Sequence, residues 1–360
     1  MKPGAPNDRR LSRMFGVGRG GVSAGAILRL FLLAILLLLV RTAVPVHAAG
    51  VEISALPQDI QRLYNSGRYN EAEQALSAAL QAKPRDSTLL YWLGRCFYEL
   101  HDFAQSISSL ERAIDIDPNQ SEFHDWLGKA WGRKAEESGR LGALSALTQA
   151  RKASREFALA VRLNPANLEA ERDLIRYLTN APGIAGGSEQ RAEEQIATLN
   201  KVDPIEAELA RAESYAAKKK FDQANEEYQN LLSRPALRAS MALEAAEYYR
   251  DRGDAQHMEQ AVKAAAAVDP SDPRLKYYRG VMLVLAHRNL DDAEKDLRSY
   301  LDTVPSSAEV PPRSSAHDWL GRLYEREKQP DKAAQEYRSA LEADPHDKDA
   351  RDALKQLPKK

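Results

Sequence analysis

The residues of this 360-residue chain with the most chemistry to offer are seven histidines, one cysteine and one glycine-rich turn. Zinc ligation and metalloprotease chemistry need two histidines four apart on a helix, or paired cysteines, so that the ligand atoms converge on one ion. His47, His101, His124, His257, His287, His317 and His346 make no such pair, and Cys96 has no second thiol. His124-Asp125 and His317-Asp318 are copies of one dipeptide and read as packing residues of a repeated helix. Gly186-Gly187-Ser188 precedes a helix starting near Glu189, loosely like an anion cradle. The element before it is a helix rather than a strand, and no Gly-Lys-Ser/Thr follows. Ser188, with Arg191 three residues on, reads as an N-cap. Cys96 lies between Trp92 and Phe97 on an apolar stripe and reads as an inert core thiol. No catalytic set assembles, and no cofactor or metal is implied. The expectation is a protein that is not an enzyme.

What recurs is Trp-Leu-Gly. It occurs at Trp92-Leu93-Gly94, Trp126-Leu127-Gly128 and Trp319-Leu320-Gly321, the first two tryptophans 34 residues apart, each copy followed by a run leading to Asp-Pro or Asn-Pro. A period of that length belongs to a helix–turn–helix unit. Two copies extend to His-Asp-Trp-Leu-Gly, at 124–128 and 317–321. Small residues such as Gly94 and Ala113 let two helices approach closely, while Leu93, Phe97 and Leu110 fill the remaining space.

Residues 1–48 obey other rules. Lys2, Arg9, Arg10, Arg13 and Arg19 form a basic stretch, Leu30 to Val40 is unbroken apolar, and Val46-His47-Ala48 has the small-residue pattern of a signal-peptidase site. The apolar run has eleven residues, against about 20 needed to span a bilayer core. The expectation is a signal peptide and an exported chain, periplasmic or in the cell envelope. The alternative is an uncleaved leader that anchors an envelope assembly factor to the inner membrane. Without the leader the chain has 44 basic and 51 acidic residues, a balance with no global attraction for nucleic acid. One cysteine allows no intramolecular disulfide, so stability must come from stacked helices.

From Leu90 to Pro118 the chain resembles the tetratricopeptide repeat family. Leu90, Leu93, Gly94 and Phe97 mark one helix, and Phe103, Leu110, Ala113 and Pro118 the next, with Ser106 where alanine is usual. The resemblance implies an all-α fold, a right-handed superhelical solenoid of antiparallel helix pairs. About eight units occupy residues 49–345, and residues 346–360 read as a polar-faced capping helix. Two insertions break the period, near 134–150 and 181–188; the first is expected as a loop with a lengthened second helix. The block from Trp126 to Pro204 is similar to exported bacterial members of the family whose activity is undefined.

In that family the first helix of each pair lines the concave groove. The resemblance assigns to this stripe Tyr91, Arg95 and Tyr98 of the second unit, Lys129 and Arg133 of the third, and Arg172 and Arg176 of the fourth, with Glu99, Asp125 and Asn180 among them. The stripe reads as a basic, tyrosine-flanked groove suited to an extended acidic peptide or protein, because arginine grips carboxylates bidentately. The family's chaperone-docking carboxylate clamp is not matched: Tyr91 and Arg95 stand where it has lysine and asparagine. The expected function is a protein-binding scaffold that meets a membrane only if the leader stays attached. The mature chain is expected to begin at Ala49. N-terminal sequencing of the native protein checks this, and Met1 recovered in a membrane fraction points to the anchored alternative.

Overall fold

The computed structural model describes residues 56–139, 142–303, 310–345 and 347–358. The expected leader and the start of the first unit near Ile53 lie outside them. The described residues form seventeen α-helices and one 3-10 turn, with no strand among them. Unit by unit, α1 (Gln58–Asn65) pairs with α2 (Tyr69–Ala82), α3 (Ser87–Glu99) with α4 (Phe103–Ile116), and α5 (Ser121–Gly139) with α6 (Ala143–Leu163). Next come α7 (Leu168–Asn180) with α8 (Glu189–Val202), α9 (Pro204–Ala217) with α10 (Phe221–Leu232), and α11 (Ala239–Asp251) with α12 (Ala255–Val268). The last pairs are α13 (Arg274–Leu285) with α14 (Leu290–Thr303) and α15 (Arg313–Arg326) with α16 (Pro330–Ala343), closed by α17 (Lys348–Gln356). Each helix packs on its partner and on the neighbouring unit, which makes an all-α solenoid. None of the described helices is long and apolar enough to cross a membrane.

Local sequence sets the helix ends. A residue before proline is pushed out of the helical region, and second helices end at Lys83, Asp117, Asn164, Asp203, Asp269 and Asp344, each directly before a proline. Within units, the turn between the two helices uses a left-handed residue at Gly67, His101, Lys219, Gly253, His287 and Lys328. At His101 its N–H donates to the Tyr98 carbonyl, and the next N–H, of Asp102, donates to Phe97. This double closure caps orphan carbonyls. It recurs at all six turns and holds even where histidine or lysine bears the cost of a left-handed backbone.

Close approach of paired helices fixes the interior. A Cβ at Gly94 would stand 2.6 Å from Leu110, at Gly128 2.8 Å from the Phe157 ring, at Gly280 2.7 Å from Leu297 and at Gly321 2.5 Å from Tyr337. The buried residues form two large clusters, one over units one to three and one over units five to eight, with two small ones in the middle.

The first insertion lengthens the second helix, as expected, and lengthens the first helix as well. Both α5 and α6 are extended, to Gly139 and from Ala143, so the extra residues form a projecting antiparallel hairpin. Residues 135–138 and 143–150 are rich in good helix formers and lack proline, so helix propagation adds hydrogen bonds at each step where a loop would add none. The second insertion is a 3-10 turn, Gly183–Ala185, followed by Ser188, whose hydroxyl accepts from the Arg191 N–H. A side chain at Gly187 would collide with the Ala181 carbonyl at 1.7 Å.

Gly128→Leu is expected to overpack α5 against Phe157 and to cost about 1–3 kcal/mol or more. A thermal or urea melt checks it; a variant melting within a degree of the parent places the helix crossing elsewhere.

Candidate functional site

Three copies of Trp-Leu-Gly are each followed by a cation, Arg95, Lys129 or Arg322. Trp and cation are three residues apart, hence neighbours on one helical face, and each cation sits over the indole: Arg95 over Trp92 at 4.2 Å, Lys129 over Trp126 at 4.6 Å, Arg322 over Trp319 at 4.8 Å. The residue before the tryptophan decides what happens to the charge. Asp125 pairs with Lys129 at 2.9 Å, and Asp318 with Arg322 at 2.7 Å. Tyr91 occupies that place in the second unit, and a phenol carries no compensating charge.

Arg95 is therefore held by rings. Its guanidinium lies 4.2 Å from the centre of Trp92 and 4.2 Å from that of Trp126, with Tyr64 at 4.9 Å and Tyr91 at 5.7 Å. It donates to the Tyr91 hydroxyl at 3.4 Å, and its buried Nε has no partner. Among the described residues it makes no ion pair with a carboxylate. Tyr98 lies edge-on to Phe103 and Trp126, and burial raises its phenol above the ordinary range. Arg133 is exposed, 5.4 Å over Phe103, and its ion pair is with Glu136 of its own helix, at 3.3 Å.

The rest of the expected basic groove is corrected. Lys129 is bound by Asp125 and Asp173, both at 2.9 Å, and by Glu169. Arg176 is bound by Asp173 at 2.8 Å and Glu213 at 3.4 Å. Arg172 is bound by Glu213 at 2.8 Å, Glu206 at 3.2 Å and Glu244. These first helices, α5, α7, α9 and α11, thus share one ionic chain in which six carboxylates meet Lys129, Arg172 and Arg176, with Arg238 also on Glu206, so the cations expected to be open are neutralised. Tyr91 is also corrected: it is buried, stacked on Phe123 at 4.9 Å, and forms no part of the open wall. Of the seven expected contacts, Arg95, Tyr98 and Arg133 remain together without cross-helix neutralisation.

His124, His317 and Cys96 are held by internal contacts. His124 is buried, its Nδ1 2.7 Å from Glu156 and its Nε2 3.0 Å from the Pro118 carbonyl, and His317 lies 2.8 Å from Glu336. Burial pushes the Cys96 thiol up to about 12, so it stays protonated at neutral pH. Oxygens of Asp125, Glu169 and Asp173 come within 4.8 Å of one another, close enough for a metal ion, but the Lys129 ammonium occupies that point.

Family models described as tetratricopeptide repeat match residues 60–121 and 255–308, and a further one matches residues 314–357. The matched segments are tetratricopeptide repeats. Among curated relatives, intraflagellar transport protein 70B of Bos taurus is 28% identical over 157 residues, 41% of this chain and 24% of that protein. Intraflagellar transport protein 70A of Xenopus laevis is 39% identical over 64 residues, 18% of this chain and 10% of that one. The chain thus spans less than a quarter of the length of these relatives. A tetratricopeptide repeat protein from Parabacteroides merdae aligns in structure with a TM-score of 0.42 and 14% identity, over 83% of this chain and 95% of that one. The C-terminal part of a repeat protein from Cytophaga hutchinsonii aligns with a TM-score of 0.38 and 16% identity, over 82% and 98%.

Buried carboxylates give this tetratricopeptide array a pH signature. Burial pushes Asp125 up to about 7 despite Lys129, and Glu244 up to about 7 despite Arg172. Between about pH 4 and 7 the folded chain holds these protons and the unfolded chain does not, so their contribution to stability falls as pH rises through that window. Glu169 and Glu213, held low by Lys129 and by Arg172 with Arg176 against their burial, act in the opposite sense and only on acidification below the ordinary carboxylate range. Asp125→Asn is expected to raise the melting temperature at pH 8 relative to the parent and to leave it nearly unchanged at pH 5. Parallel melting curves at both pH values contradict a buried, reluctant Asp125 charge.

Proposed function

We propose that this protein is a non-catalytic protein–protein interaction scaffold, exported to the periplasm or cell envelope, that holds an extended acidic segment of a partner against the first helices of its second and third units. The observation that carries the reading is Arg95. Its charge is fixed between two tryptophan rings, which keep the guanidinium in place at little further entropic cost, and the aspartate that neutralises the same cation in two other units is a tyrosine here. Tyr98 supplies a hydroxyl beside it, and Arg133 a second, exposed cation. A partner carboxylate reaching Arg95 gains a charge-assisted hydrogen bond without displacing an internal ion pair. Along Lys129, Arg172 and Arg176 it has to compete with carboxylates already bound.

The two halves of the wall respond differently to charge reversal. Arg133→Glu is expected to leave the melting temperature within about a degree of the parent, since exposed charges contribute little to stability. It should weaken capture of acidic partners from an envelope extract about tenfold at low salt, with the difference shrinking as salt screens it. Arg176→Glu places a third carboxylate beside Asp173 and Glu213 and should lower the melting temperature instead. Unchanged low-salt capture by a folded Arg133→Glu protein removes the Arg95 patch as the contact.

A further inference from the structure

The two insertions, 30 residues apart in sequence, meet in space. The α5–α6 hairpin and the Gly183–Ala185 turn flank an open pocket of about 540 Å³ whose apolar lining includes Ala135, Ala146, Leu147, Ala150, Pro182 and Ile184. Its polar groups are used internally: Glu136, the one charged residue of the lining, pairs with Arg133 at 3.3 Å. The Tyr177 hydroxyl sits between the carbonyls of Ala150 and Ala185, at 2.5 and 2.8 Å; the Asn180 amide donates to the Arg176 carbonyl at 2.8 Å; and the Ile184 carbonyl accepts from Arg151 Nε at 2.9 Å. What the pocket offers a ligand is shape and apolar surface.

Gly132 forms part of the lining. Glycine inside a helix weakens it relative to alanine, and at Gly94, Gly128, Gly280 and Gly321 a facing side chain explains the choice. Around Gly132 nothing lies within 4 Å of a built Cβ. The missing side chain leaves the pocket open and serves no internal packing. Leu144 and Ile184 nearby are 83% and 70% exposed, large apolar surface of the kind that marks an interaction site when it adjoins a cavity.

Charge narrows the occupant. From Ala143 to Arg155 there is no acidic residue. Arg151, Lys152 and Arg155 are exposed and, among the described residues, form no ion pair: Arg151 reaches the Ile184 carbonyl and Lys152 stacks on Trp131 at 3.8 Å. A membrane surface takes up a protruding apolar face, whereas a recessed pocket takes up side chains. We propose that this pocket docks a segment of a partner protein carrying large apolar side chains flanked by acidic residues, at a site separate from the Arg95 patch.

The experiment is a selection of random peptides displayed on phage against the immobilised full chain, depleted on Gly132→Leu. Leucine favours the helix and fills the pocket, so the variant should melt no lower than the parent; Ala146→Leu fills it from the opposite helix if Gly132→Leu does not fold. Enriched peptides should pair large apolar residues with aspartate or glutamate. They should bind either filled variant at least about tenfold more weakly, bind Arg151→Glu/Arg155→Glu more weakly at low salt, and bind Arg95→Gln as they bind the parent. The proposal is overturned if no peptide is enriched over the filled variants, or if those enriched lack acidic or large apolar residues. Co-sedimentation with phosphatidylglycerol vesicles that is lost on pocket filling overturns it in favour of a membrane.

Discussion

A large side chain of one helix resting on the bare backbone of its partner is the contact on which the array depends. Leu110, Phe157, Leu297 and Tyr337 each occupy the space where Gly94, Gly128, Gly280 or Gly321 has no Cβ. This contact also fixes the rotation of the first helix. With glycine turned toward its partner helix, the residue two before it and the residue one after it both point away. In Trp-Leu-Gly-cation these are the tryptophan and the cation, which therefore meet on the far side. The charge pattern of the wall is thus a by-product of how the pair packs, and one change, aspartate or tyrosine before the tryptophan, decides whether the cation has a carboxylate partner.

The ionic chain lies where the apolar core is thinnest. Between the two large clusters stand small ones such as Phe157 with Leu174, and Ile175 with Leu199, and over this stretch Lys129, Arg172 and Arg176 tie together the first helices of four successive units. Buried ion pairs seldom add net stability, because desolvation offsets attraction, yet leaving a buried cation with no carboxylate at all is strongly destabilising. The raised pKa values of Asp125 and Glu244 express that desolvation cost. The arrangement specifies which neighbours meet, at the point where apolar contacts specify least.

Much of the fold was legible because repeat chemistry is local. A proline after the second helix, a glycine at the crossing and an aspartate at the cap act within a few residues of where they stand. The wall was less legible, because its cations are answered from other units. Glu206 stands 34 residues after Arg172, one period on, so this pairing could have been found by reading each stripe position across successive repeats rather than counting cations alone. Tyr91 left the wall for a similar reason: Phe123 of the next unit offers its ring a face, and an aromatic side chain gains more from burial than from solvent. The left-handed turns at His101, Lys219 and Lys328 carry no residue signal, since the geometry of the pair imposes them.

Why two insertions should build one pocket follows from the topology. In a stack of helix pairs with a near-constant period, the turn inside one unit lies beside the turn inside the next. Residues added to the turn of the third unit and residues added to that of the fourth therefore emerge at the same edge, whatever their separation in sequence. The first addition extends as a hairpin because its residues favour helix; the second, with Pro182 and the glycines at 183, 186 and 187, cannot, and folds as a short turn beneath it. A helical projection above a compact turn leaves a recess between them. Small side chains on the hairpin, with Gly132 at its root, keep that recess from closing.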